Sequence, residues 1–163
     1  MTAGGAALGS LAVLLLAGAG PDGCSGEREV AVRSLGVGAQ CGGAGEGASV
    51  RRLVAAAEVT AALSPGLGAG PDEAVVNWAT EAVLLVSGGQ RTSAGYGVAL
   101  GSNRAQVKDG AAGLRISFSS PPAGAINAQV MTSPCLVVAL PRQGLRAVAV
   151  LDGERAAATV KLE

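Results

Sequence analysis

The chain contains no histidine. That removes Ser-His-Asp and Cys-His nucleophiles, His-liganded zinc, and a histidine proton switch near neutral pH. Three cysteines remain, Cys24, Cys41 and Cys135, and their spacings match no metal-binding pattern. The carboxylates fall in short pairs: Glu27 with Glu29, Asp72 with Glu73, Asp152 with Glu154. Nothing apolar surrounds these pairs to push their pKa values apart, so each reads as a solvated turn rather than an acid/base couple. The only lysines, Lys108 and Lys161, lack a Ser-x-x-Lys context. Glycine-rich stretches do not make phosphate loops. Gly36-x-Gly38 is followed by Cys41, Gly66-x-Gly68-x-Gly70 runs into Pro71-Asp72, and no Gly-Lys-Ser/Thr occurs. The expectation is a protein that is not an enzyme and holds neither cofactor nor metal.

Length and charge bound the alternatives. The 163 residues fit one domain or two. Twelve basic residues balance twelve acidic ones, so the chain carries no global footprint for nucleic acid. Apolar residues make up 49% but aromatics only 2%, so a core must be built from Val, Leu, Ile and Ala.

Residues 1–19 (MTAGGAALGSLAVLLLAGA) contain an uncharged, short apolar run ending in Ala17-Gly18-Ala19. A membrane span needs about 20 apolar residues. A cleaved export signal fits better, which places the mature chain in a bacterial periplasm or cell envelope. Cys24 raises lipidation as a second reading, and with it the one route to a membrane, although Pro21 stands where such signals carry leucine. The other reading of Cys24 is an exposed thiol in a tether. Residues 20–27 read as a linker and 28–163 as one β-rich domain. A Cys41–Cys135 disulfide would suit an oxidising compartment. A buried Cys135 with a free Cys41 is the preferred reading.

The elements that must position any site are mainly strands. Residues 28–37 alternate as a half-buried strand, with Val30 and Val32 on one side. A short strand is expected near Val50–Val54, then a helix over about 55–63 with Val59 and Leu63 on one face. Further strands are expected at 81–86, 96–100, 114–119, 125–131, 136–140, 147–151 and 157–162, separated by Gly- and Pro-rich turns. This spacing predicts an antiparallel β-sandwich or barrel-like sheet with one short helix.

One loop stands out. Residues 87–97 (SGGQRTSAGYG) join two apolar strands and carry a positive charge, two hydroxyls and a tyrosine beside glycines. It reads either as a recognition loop held by rigid strands or as a turn whose tyrosine packs back on the sheet. With its neighbours it resembles a known family. Arg91-Thr92-Ser93-Ala94-Gly95-Tyr96 is similar to a P-T-x-G-Y element, and Gln129-Val130-Met131-Thr132-Ser133-Pro134 to Q-x-x-T-S-P. With the strand 82–86, the strand 114–118 and the Pro122-Ala123-Gly124 turn in order between them, residues 78–141 resemble the C-terminal domain of the PrcB family. Arg91 stands where that family commonly has proline, and Cys135 where an aromatic is frequent.

The resemblance implies an accessory subunit of an exported protease complex, with a protein partner contacted through Arg91, Thr92, Ser93, Gly95, Tyr96, Thr132, Ser133 and Pro134. Two alternatives use the same residues. The Thr-x-x-Gly-Tyr element is also similar to the loop of chagasin-like inhibitors of cysteine proteases. A general envelope binding or structural protein is the third reading.

Overall fold

The computed structural model describes residues 27–41, 45–63 and 76–162. The export signal (1–19), the linker residues before Glu27 and Cys24 lie outside the described residues.

Two sheets face each other. A six-stranded sheet contains β1 (Arg28–Ala31), β5 (Gly97–Leu100), β6 (Arg104–Lys108), β7 (Ala111–Ser119), β9 (Ala147–Asp152) and β10 (Arg155–Lys161). A four-stranded sheet has the order β2 (Arg33–Gly38), β8 (Cys135–Pro141), β4 (Glu81–Ser87), β3 (Ser49–Leu53). The sandwich expectation holds, with one refinement: β7 and β9 run parallel. They can do so because β8, which lies between them in sequence, belongs to the other sheet.

The four-stranded sheet is apolar on both faces. Ala82, Leu84 and Val86 of β4 and Leu136, Val138 and Leu140 of β8 join the core between the sheets. Val83 and Leu85, with Cys135, Val137 and Ala139, face the other way. Helix α1 (Ala56–Leu63) covers that outer face with Val59, Ala62 and Leu63, and Trp78 packs beside it. The arrangement is therefore three layers: sheet, sheet, helix. It explains why β4 and β8 read as continuous apolar runs. Each fully buried Leu or Val there contributes roughly 1.5–3 kcal/mol by leaving water. At the helix start, the Glu58 carboxylate reaches back to accept the Val54 N–H at 2.7 Å, tying the first turn to the chain that enters it.

Three expectations need correction. Residues 28–37 are not one strand. The chain switches sheets at buried Val32, whose N–H bonds the Asn103 carbonyl at 2.8 Å; β1 pairs with β6 and β2 with β8. Residues 125–131 are not a strand. Both edges of β8 are taken by β2 and β4, and β7 is flanked by β9 on one side and by β5 and β6 on the other. The segment makes only isolated backbone bonds to the 91–96 loop, such as Ala94 N–H to the Ala128 carbonyl at 2.9 Å, and no ladder. Finally, Cys41 and Cys135 form a disulfide, with Cα atoms 6.0 Å apart, so Cys41 is not free.

Candidate partner-docking site

Strands β4 and β8 end side by side at Ser87 and Cys135. The two segments singled out in the sequence therefore emerge at one end of the four-stranded sheet. They bind each other. Arg91 and Thr132 form an antiparallel bridge, the Arg91 N–H donating to the Thr132 carbonyl at 2.8 Å and the reverse bond at 2.9 Å. The Thr132 hydroxyl donates to the Ser93 carbonyl at 3.0 Å, and the Ala94 N–H to the Ala128 carbonyl at 2.9 Å. Thr132 thus braces the opposite loop.

Arg91 organises its own loop. Its guanidinium donates to the Gly88 carbonyl at 2.7 Å and its Cζ lies 5.2 Å from the centre of the Tyr96 ring. A cation over an aromatic face contributes about 0.5–1 kcal/mol at a partly exposed site. Tyr96 is half-buried, while Thr92 and Gly95 are exposed. Gly95 has φ +94°, and a Cβ there would lie 3.0 Å from both Pro121 and Asn127.

Ser133 and Pro134 are buried, so they anchor rather than contact. The Ser133 N–H donates to the Ala39 carbonyl at 2.8 Å, and its carbonyl accepts from Cys41 N–H at 3.1 Å. The Pro134 carbonyl accepts the Gly88 N–H at 2.8 Å. The disulfide at Cys135 ties the same loop to the sheet. A third segment, residues 45–47, closes over Gly89: the Gln90 N–H donates to the Gly45 carbonyl at 2.8 Å. Gly89 is at φ +81°, and a Cβ there would come within 2.5 Å of the Glu46 carbonyl oxygen, so only glycine fits.

Sequence reasoning missed three exposed large apolar residues on one segment. Ile126 is 103% exposed, Val130 49% and Met131 56%. All three lie in the crossing from β7 to β8. Their backbone is held in place by the Ala128 bond to Ala94 and by the Gln40 side-chain amide, which donates to the Met131 carbonyl at 2.8 Å. The signal that could have found them is a charge gap: no Asp, Glu, Lys or Arg occurs between Arg115 and Arg142. Among the described residues, no three of His, Cys, Asp or Glu converge to hold a metal ion.

The paired motifs decide which family this region resembles. Residues 82–141 match the family model described as PrcB C-terminal. The match runs from the second residue of β4 to the last of β8, and so includes both motif segments. The matched segment supplies the two central strands of the four-stranded sheet and β5, β6 and β7 of the other. The strands outside it (β1, β2, β3, β9 and β10) complete both sheets. No curated protein matches the chain, and no solved structure does.

Proposed function

We propose that this is an exported, non-catalytic accessory protein that docks on a subunit of an envelope protease complex and assists its assembly or stability. The carrying observation is the bridge between the Arg91–Tyr96 loop and the 121–134 segment. It joins both family motifs into one rigid rim beside the uncharged, exposed Ile126, Val130 and Met131. Apolar side chains exposed together on a braced segment are a property of protein contact surfaces. The family match supplies the link to a protease complex. The disulfide supports an oxidising compartment.

The docking surface in this reading is Thr92, Gly95, the exposed edge of Tyr96, Ile126, Val130 and Met131. Arg91, Ser93, Thr132, Ser133 and Pro134 hold it in shape. An inhibitor that inserts a loop into an active-site cleft would need that loop to project. Here its backbone is bonded at both Arg91 and Ala94, which favours a broad contact over insertion.

The test is co-purification from the native host. The tagged chain should bring down an exported protease and raise the yield of active enzyme. A chain that instead slows papain-type proteases would establish the inhibitor reading. A chain that does neither would leave the general envelope role.

A further inference from the structure

Residues 125–131 (AINAQVM) carry the sequence of a strand and lack the partner of one. Ile126, Ala128 and Val130 alternate with Asn127 and Gln129, the period-two pattern of a strand with one covered face. Here the segment runs without a sharp bend, forms no ladder, and exposes Ile126, Ala128 and Val130 alike. Its backbone is braced on one side. The Ala128 carbonyl faces the Arg91–Tyr96 loop, where it accepts the Ala94 N–H at 2.9 Å, and the Val130 N–H folds back on the same carbonyl at 3.0 Å. That three-residue closure leaves the N–H and C=O of Gln129, its central residue, on the opposite side. By strand alternation Asn127 and Ala125 present their carbonyls there too. The acceptors on this open side are filled only by the segment's own side chains. Asn127 Nδ2 donates to the Ala125 carbonyl and Gln129 Nε2 to the Asn127 carbonyl, both at 3.3 Å and exposed. The N–H groups of Ile126, Asn127, Ala128, Gln129 and Met131 have no partner among the described residues.

We infer that the open side of residues 125–129 takes a strand of the docked partner by backbone pairing, a proposal that rests on the docking reading above and states what the partner must present. An extended edge with unpaired N–H and C=O groups is a template for another chain. Proteins normally blunt such an edge with charge, and here no charged residue occurs between Arg115 and Arg142. The occupant that fits is an extended, uncharged segment. Five paired residues span about 17 Å of backbone. Partner N–H groups displace the Asn127 and Gln129 side chains from the two carbonyls they now cover. Ile126, Ala128 and Val130 then share a face with the partner's side chains, which covers what the free chain exposes.

The test compares two variants at one position. Gln129 is not at positive φ, so the 128–130 closure gives it a φ of about −75°, close to the value proline fixes. Its N–H is also unpartnered, so Gln129→Pro should fold with a melting temperature close to that of Gln129→Ala, which loses the same side chain and keeps the N–H. The probe is the protein that the tagged wild-type chain captures from the native host, and surface binding reads its affinity for each variant. Gln129→Pro should bind it about tenfold more weakly than Gln129→Ala, because one backbone bond is lost and its acceptor is left unpaired. Hydrogen exchange on the wild-type complex, read by mass spectrometry, is the second measurement. The amides of residues 126–129 should exchange at loop rates in the free chain and slow by about tenfold or more in the complex. Equal affinity of the two variants, or unslowed exchange in the complex, would overturn strand pairing and leave the docking reading standing. Slow exchange of these amides in the isolated chain would assign the edge to this chain or a second copy of it, and would also overturn the proposal. Capture of no protein by the wild-type chain would overturn the docking reading itself, and this proposal with it.

Discussion

The Arg91 guanidinium lies over the Tyr96 ring, 5.2 Å from its centre, and donates at the same time to the Gly88 carbonyl at 2.7 Å. One side chain thus holds both ends of its loop.

Tyr96→Ala and Arg91→Ala are expected to fold and to lose docking. The cation–π contact and one partly exposed hydrogen bond together stabilise by about 1–2 kcal/mol. The melting temperature should fall by several degrees at most. Partner affinity, measured by calorimetry or surface binding, should fall at least tenfold. Unchanged affinity in a folded Tyr96→Ala variant would remove this loop from the interface.

The disulfide closes a long stretch of chain, joining cysteines 94 positions apart in sequence. Chain-entropy arguments assign roughly 4–5 kcal/mol to a loop of that size, and removal of native bridges typically costs about 2–5. In a Cys24→Ser background, the denatured, unreduced protein should show no reactive thiol. Two reactive thiols would contradict the bridge. The Cys41→Ser, Cys135→Ser double variant should unfold at markedly lower urea concentration.

Glu81 gives the pH dependence a sign. Burial pushes its carboxyl up, but the Arg33 hydrogen bond, the Asn77 N–H and the Arg33 charge together outweigh that and hold it below its ordinary value. A carboxyl whose folded pKa is depressed contributes stability above its unfolded pKa, and that contribution is lost as pH falls through the folded one. Arg33→Gln should therefore be less stable than wild type at pH 7, by up to about 1 kcal/mol, since the arginine is substantially exposed. The gap should narrow and close as pH falls from 7 to below the ordinary glutamate range. Urea unfolding at both pH values reads it, and a gap that persists at low pH would assign the loss to packing instead.

Gly89→Ala and Ile126→Ser should separate structure from surface. A Cβ on Gly89 meets the Glu46 carbonyl in a left-handed backbone conformation. That substitution should cost more than about 1 kcal/mol and loosen the 45–47 segment. Ile126 touches little, so its replacement should change stability by under about 0.5 kcal/mol. Thermal melts of the two variants side by side check both statements.

Much of the fold was legible because burial leaves a period-two trace. In β7, Leu114 and Ile116 are buried and Phe118 half-buried, while Arg115, Ser117 and Ser119 are exposed, as their alternation predicts. The helix face of Val59 and Leu63 was equally plain. Strand β6 was not, because its buried positions are only Ala105 and Val107, a weak apolar signal. Residues 125–131 misled in the other direction. They have strand-like composition, yet whether a strand forms depends on a free sheet edge, and that is a property of topology. The two motif segments could be named from their residues. Their bonding to each other, and the exposure of Ile126 between them, depend on β4 and β8 being neighbours, which local pattern does not state.

The central claim is that the rim built by the two motif segments is where a partner binds. A photo-crosslinking side chain placed at Ile126 in the native host tests it directly, with Ala157 on the outer strand β10 as the control position. The account predicts a discrete adduct with one exported protein from position 126 and none from position 157. Adducts from position 157 alone, or none from position 126 while the partner still co-purifies, would contradict it.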